Sequence, residues 1–209
     1  TTTLSNARIV AQSWRLRRRK TKNMDNNTDL LINTFTENLL NTLKDFQNGN
    51  ITYHAFDIDC DKLDDYREIN IRKATDYIDL FAELKASNTP TLYWIEILSN
   101  TCNEAIYEKL NNYDINRSLT SKKRKCNINT RILYVGKVKN GFWGRIITHL
   151  GYNRSVNTQG LQLYHWTSNM GLKLRFNYIS FPESMVELIS IYEILLAKEL
   201  KPLLGTKHG

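Results

Sequence analysis

Cysteine is scarce in this chain. Cys60, Cys102 and Cys126 are odd in number and widely separated, and no CxxC pair occurs. A zinc cage and a disulfide framework are therefore both disfavoured, and a reducing, cytoplasmic setting is the expectation. Long apolar runs are also missing; none approaches the roughly 20 residues that a membrane span needs, so no membrane partner is expected. The basic run Arg15-Leu16-Arg17-Arg18-Arg19-Lys20-Thr21-Lys22 is not followed by an apolar stretch, so it does not read as a secretion signal. No sequence repeat is evident.

The most informative absence is of acid. From Ile115 to Pro182 there is no Asp or Glu, while the same 68 residues hold twelve Lys and Arg. Residues 23–114 are the reverse, with seventeen acids against seven bases, and residues 1–22 carry seven bases and no acid. The formal net charge of +8 hides this asymmetry. A region of such charge suits a polyanion, nucleic acid being the commonest, although a solvated basic face is the plainer alternative.

What is present divides in two. Residues 1–88 read as a basic arm followed by a mainly helical region. Asn26 to Asp29 can cap a helix running to about Phe46, with Leu30, Leu31, Phe35, Leu39 and Leu43 at helical spacing. Ile51 to Phe56 reads as a short strand or an extended linker, and a second helix is expected from about Leu63 to Lys85. Asn88-Thr89-Pro90 breaks the chain. Residues 89–209 then read as strand (Thr91–Leu98), polar insert, strand (Arg131–Gly136), helix (Gly144–Leu150), helix (Leu161–Ser168), strand (Leu172–Ile179) and a last helix from Pro182 to about Leu200. A small sheet with helices packed on it follows, in the α+β class. The insert, about residues 99–130, contains Lys122, Lys123, Arg124 and Lys125, a run suited to DNA phosphates.

Within this pattern Tyr134-Val135-Gly136-Lys137 ends a strand, and Arg145 and His149 are four apart, on one face of the following helix. A phenol, an ammonium, a guanidinium and an imidazole thus meet where a strand ends and a helix begins. Such a set suits a phosphate whose charge changes during reaction. On the last helix Glu193 falls toward the apolar side. A carboxylate there needs a cation, supplied by a divalent metal or by a salt bridge to Arg145 or a nearby lysine.

Tyr93 on one strand, Tyr134-Val135-Gly136 on the next, Arg145 and His149 on a helix, Glu193 on a late helix and Lys201-Pro202 after it stand in the order of the GIY-YIG nuclease superfamily. Residues 90–206 resemble that family, including the restriction endonucleases within it and the nuclease domain of UvrC-type repair proteins. Two departures are visible: the first motif reads Thr91-Leu92-Tyr93 without its glycine, and Gly205 stands where members often have asparagine.

The resemblance implies a small antiparallel or mixed three-stranded sheet flanked by helices. It implies a metal-dependent DNA endonuclease, of the type II restriction kind, acting on double-stranded DNA with one Mg²⁺ or Mn²⁺. Glu193 would hold the metal and Arg145 would neutralise the phosphoryl oxygens. Tyr93 or Tyr134 would act on the attacking water with Lys137 as neighbouring cation, and His149 would accept a proton or bind phosphate. The alternatives are a degenerate nucleic-acid-binding module and a repair or mobile-element nuclease. One centre per chain against two strands per duplex makes a homodimer an expectation from need.

Overall fold

The computed structural model describes residues 28–44, 47–49, 52–65, 67–113, 117–120 and 127–205. The arm of residues 1–22 and the run Lys122 to Lys125 lie outside these. The chain clusters into two units, residues 1–49 and 50–209. In the first, helix α1 covers residues 28–44 and exposes Leu30, Leu31, Ile32, Phe35, Leu39 and Leu40.

In the second unit four strands form one antiparallel sheet: β1 (Thr52–Asp59), β2 (Thr91–Ile97), β3 (Ile132–Val138) and β4 (Lys173–Ser180), in the order β1-β4-β2-β3. The α+β class holds, but the sheet has four strands and not three. The segment read as strand or linker is the extra edge, paired to β4 from Thr52 opposite Ser180 to Asp59 opposite Lys173. Its inward Phe56 stacks on Phe176 with centroids 5.1 Å apart, and Ile58 is buried, which is what holds this edge to the core. Residues 50–88, grouped from the sequence with the N-terminal region, thus contribute a strand to the sheet.

Strand β2 is enclosed on both sides by β3 and β4. Its near-continuous burial explains why Thr91-Leu92-Tyr93-Trp94-Ile95 shows little polar alternation. On one face Tyr93, Ile95, Ile97, Leu174 and Phe176 join helices α2 (Ile78–Ala86) and α4 (Phe142–Leu150) in the main core. Helix α4 places Phe142, Ile146 and Leu150 inward, each worth roughly 1.5–3 kcal/mol when buried. Helix α3 (Asn103–Asn111) precedes β3, and α5 (Ile189–Leu200) packs on β3 and β2.

Three helix expectations change. Only Ile78–Ala86 of the span 63–85 is α-helical. The side chains of Asp65 and Asn70 accept from the backbone N–H groups of Arg67 and Arg72, and these local bonds compete with a helix. The span 161–168 holds a single 3₁₀ turn, Leu163–His165, entered through Gln162 at φ 55°. Helix α5 starts at Ile189, after a 3₁₀ turn at Glu183–Met185.

Candidate active site

Antiparallel pairing sets Tyr93 of β2 opposite Gly136 of β3. Tyr134, two residues before Gly136, points to the same face, and its ring centroid lies 6.1 Å from that of Tyr93. A Cβ on residue 136 would stand 2.5 Å from the Tyr93 hydroxyl oxygen and 2.7 Å from Tyr134 Cε1. Glycine is therefore what lets the two phenols converge over β3. The signal was in the sequence, as the third letter of Tyr134-Val135-Gly136.

Helix α4 brings Arg145 and His149 to these phenols. Arg145 Nε donates to the Tyr93 hydroxyl at 3.0 Å, and Nη2 to the Tyr134 hydroxyl at 3.4 Å. Its Nη1 donates to the Gln159 carbonyl at 2.6 Å. A guanidinium has five N–H donors, so two remain for an anion. Burial works against its charge, but Tyr93 and Tyr134 outweigh that and raise its pKa.

His149 is fully buried. Its Nδ1 accepts from the Leu161 N–H at 3.2 Å, and its Nε2 lies 2.8 Å from the Tyr93 hydroxyl. A nitrogen that accepts carries no proton, so the neutral ring has its proton on Nε2 and donates it to Tyr93. Burial first, and Arg145 second, hold its pKa well below the usual histidine range. In this structure His149 takes a place different from the proton acceptor or phosphate ligand that the resemblance implies. It is a neutral donor with both nitrogens engaged, and it orients Tyr93.

Tyr93 thus accepts two N–H bonds on a hydroxyl with no solvent exposure. Its pKa is pushed up, by burial above all and next by Tyr134, against the pull of Arg145. The cation at its hydroxyl is Arg145 and not Lys137. Lys137 instead faces Glu193, with Nζ 3.6 Å from Oε2. The lysine salt bridge is the partner this structure gives that carboxylate. The Glu193 charge also reaches Tyr93, as a smaller influence raising its pKa. Gly205, at the position of the absent asparagine, lies beside the Tyr134 ring, with a Cβ there falling 3.6 Å from it.

So Tyr93, Tyr134, Arg145 and His149 form one bonded cluster, and Lys137 with Glu193 forms an adjoining pair. What the sequence reading missed is the loop that finishes the cluster. Gln159 and Leu161 act through backbone groups, one on each of the α4 side chains. Gly160 between them lies so close to α4 that a Cβ would come within 2.6 Å of Thr148 Cγ2. That glycine was the available sign of a close approach.

No group of three His, Cys, Asp or Glu occurs among the described residues. A hydrated magnesium ion asks for less: one or two carboxylates, with waters and substrate phosphate oxygens as its other ligands. Glu193, whose side chain is 17% exposed and whose Oε2 lies 3.6 Å from Lys137 Nζ, fits that demand.

No protein-family model, no curated protein and no solved structure matches this chain.

Proposed function

We propose that this protein is a metal-dependent DNA endonuclease of the GIY-YIG type, acting on double-stranded DNA as a restriction enzyme does. The observation that carries the reading is the bonded set Tyr93–Arg145–Tyr134, with His149 locked behind it and Glu193 beside it. Six residues from four elements of the chain, β2, β3, α4 and α5, supply the chemistry such a nuclease needs.

In this reading the two unassigned N–H groups of Arg145 receive the scissile phosphate. A planar fork meets two phosphoryl oxygens at once, which an ammonium cannot. Tyr93 is buried beneath the guanidinium and holds it in place; His149 holds Tyr93. Tyr134 is half-buried, so it is the phenol that touches and orients the attacking water. Glu193 would hold a divalent cation, which supplies charge neutralisation at the phosphate and at the leaving oxygen. Lys137, 3.6 Å from that carboxylate, adds positive charge at the same place. A pair of chains on one duplex would present one centre to each strand.

The test is incubation of genomic DNA from several sources, and of plasmid, with Mg²⁺ or Mn²⁺ and with EDTA. Cutting in either metal and none in EDTA is the expected result. Tight DNA binding without cutting in any metal would leave a binding module in place of an enzyme.

A further inference from the structure

Trp143 and Ile147 stand two residues either side of Arg145 on α4, so they face the far side of that helix from the catalytic cluster. There they line a cleft of about 940 Å³ with Arg67, Arg72, Gly144 and Arg154. Nothing in the cluster just described uses it. Among its lining residues one, Glu68, is acidic, against three arginines.

The cleft wall is organised to present cations. Asn70 Oδ1 accepts from Arg72 Nε at 3.1 Å and from the Arg72 backbone N–H at 3.3 Å. That fixes the Nε side of the guanidinium and leaves its Nη groups without a hydrogen bond to Asn70. The Arg72 guanidinium carbon sits 5.9 Å from the Trp143 ring centroid, and the Lys85 ammonium 5.5 Å from the same ring. An indole attracts each cation by its quadrupole, so Trp143 gathers two cations at this end of α4. Arg154 is exposed. Gly144 presents open backbone, with nothing within 4 Å of where a Cβ would be.

Distance selects the anion. A helix with its side chains is about 10 Å across, on the order of three base-pair steps of about 3.4 Å. A strand whose phosphate lies on Arg145 therefore brings its neighbouring phosphates to the cleft by crossing α4.

We propose that this cleft binds the phosphate backbone of duplex DNA a few nucleotides from the bond that is cut. Arg72 and Arg154 contact phosphate oxygens, while Trp143 holds Arg72 at the wall. The assignment rests on the nuclease reading and adds a second anchoring point to it. The contacts are to phosphate, so they position the duplex without reading its sequence.

The experiment measures binding of a short labelled duplex by anisotropy, in EDTA and over rising salt, with the full chain. Each phosphate contact contributes about 0.9 to the slope of log K against log salt. The double variant Arg72→Gln/Arg154→Gln is expected to have a slope shallower by about two units, and Arg154→Gln alone by about one. Duplex is expected to quench tryptophan emission, and Trp143→Phe to lose most of that change. Melting by circular dichroism shows whether the double variant is folded; if it is not, the single variant decides. An unchanged slope with unchanged quenching overturns the cleft while the wild type still cuts DNA. No duplex binding by the wild type in EDTA overturns the cleft, and no cutting in Mg²⁺ or Mn²⁺ removes the nuclease reading itself.

Discussion

At the scale of single residues, the Tyr93 hydroxyl decides the site. It takes two N–H donors in a place without water, and removing it strands both. Tyr93→Phe should cost about 1–3 kcal/mol of stability, the usual penalty for an unsatisfied buried donor. It should lower cleavage as well, because the Arg145 fork loses its fixed side; denaturant melts and single-turnover cutting measure the two effects. His149 gives a pH signature. In the unfolded chain it binds a proton near pH 6.5, and in the fold only well below that. Its contribution is therefore whole above about pH 6.5 and is lost as the pH falls toward the folded value, at up to about 1.4 kcal/mol per pH unit. His149→Gln should flatten this fall. Burial lowers the His165 pKa too, so some slope should remain; an identical slope in the variant would mean that His149 does not hold its neutral form. The residue types of the cluster were legible because Tyr134, Lys137, Arg145 and His149 fall close together in the acid-free stretch, although Tyr93 and Glu193 lie outside it. The tautomer and the burial of His149 were not, since both depend on one backbone N–H at Leu161.

At the scale of elements, β2 and β4 were readable from their β-branched and aromatic runs, and α4 from its apolar period. The span 63–85 misled because its apolar residues recur at helical spacing while Asp65 and Asn70 bond their own backbone. The loop 159–161 was unreadable as part of the site, because it serves through a carbonyl and an N–H, which side-chain identity does not encode. A direct consequence is testable. Gly160→Ala places a methyl 2.6 Å from Thr148 Cγ2 and 3.0 Å from its carbonyl oxygen, so the loop must lift from α4. Overpacking of this kind costs about 1–3 kcal/mol. The variant should lose cutting through Arg145 and His149 although it alters neither, with a melting point that falls only moderately. Full activity at a lowered melting point would show that the loop is structural alone.

At the scale of the molecule, the split of charge along the chain and the two units it folds into set the account. The acid-free stretch supplies β3, α4 and β4, and with them the phenol, the guanidinium and Lys137; the acid comes from outside it, on α5. The fold of residues 50–209 thus draws one carboxylate toward a basic centre, where Lys137 holds it. Raising salt should weaken DNA binding steeply, as counterion release requires, and a salt-independent affinity measured by anisotropy would contradict a phosphate-led interface.

The measurement that tests the account most directly is the single-turnover rate of duplex cutting in Mg²⁺ or Mn²⁺ for wild type, Arg145→Lys and Glu193→Gln, each shown folded by its melt. The prediction is cutting by the wild type, and a loss of roughly a hundredfold or more in each variant, the scale found when a charge-stabilising donor is removed from a reaction centre. Wild-type rates in both variants would contradict it.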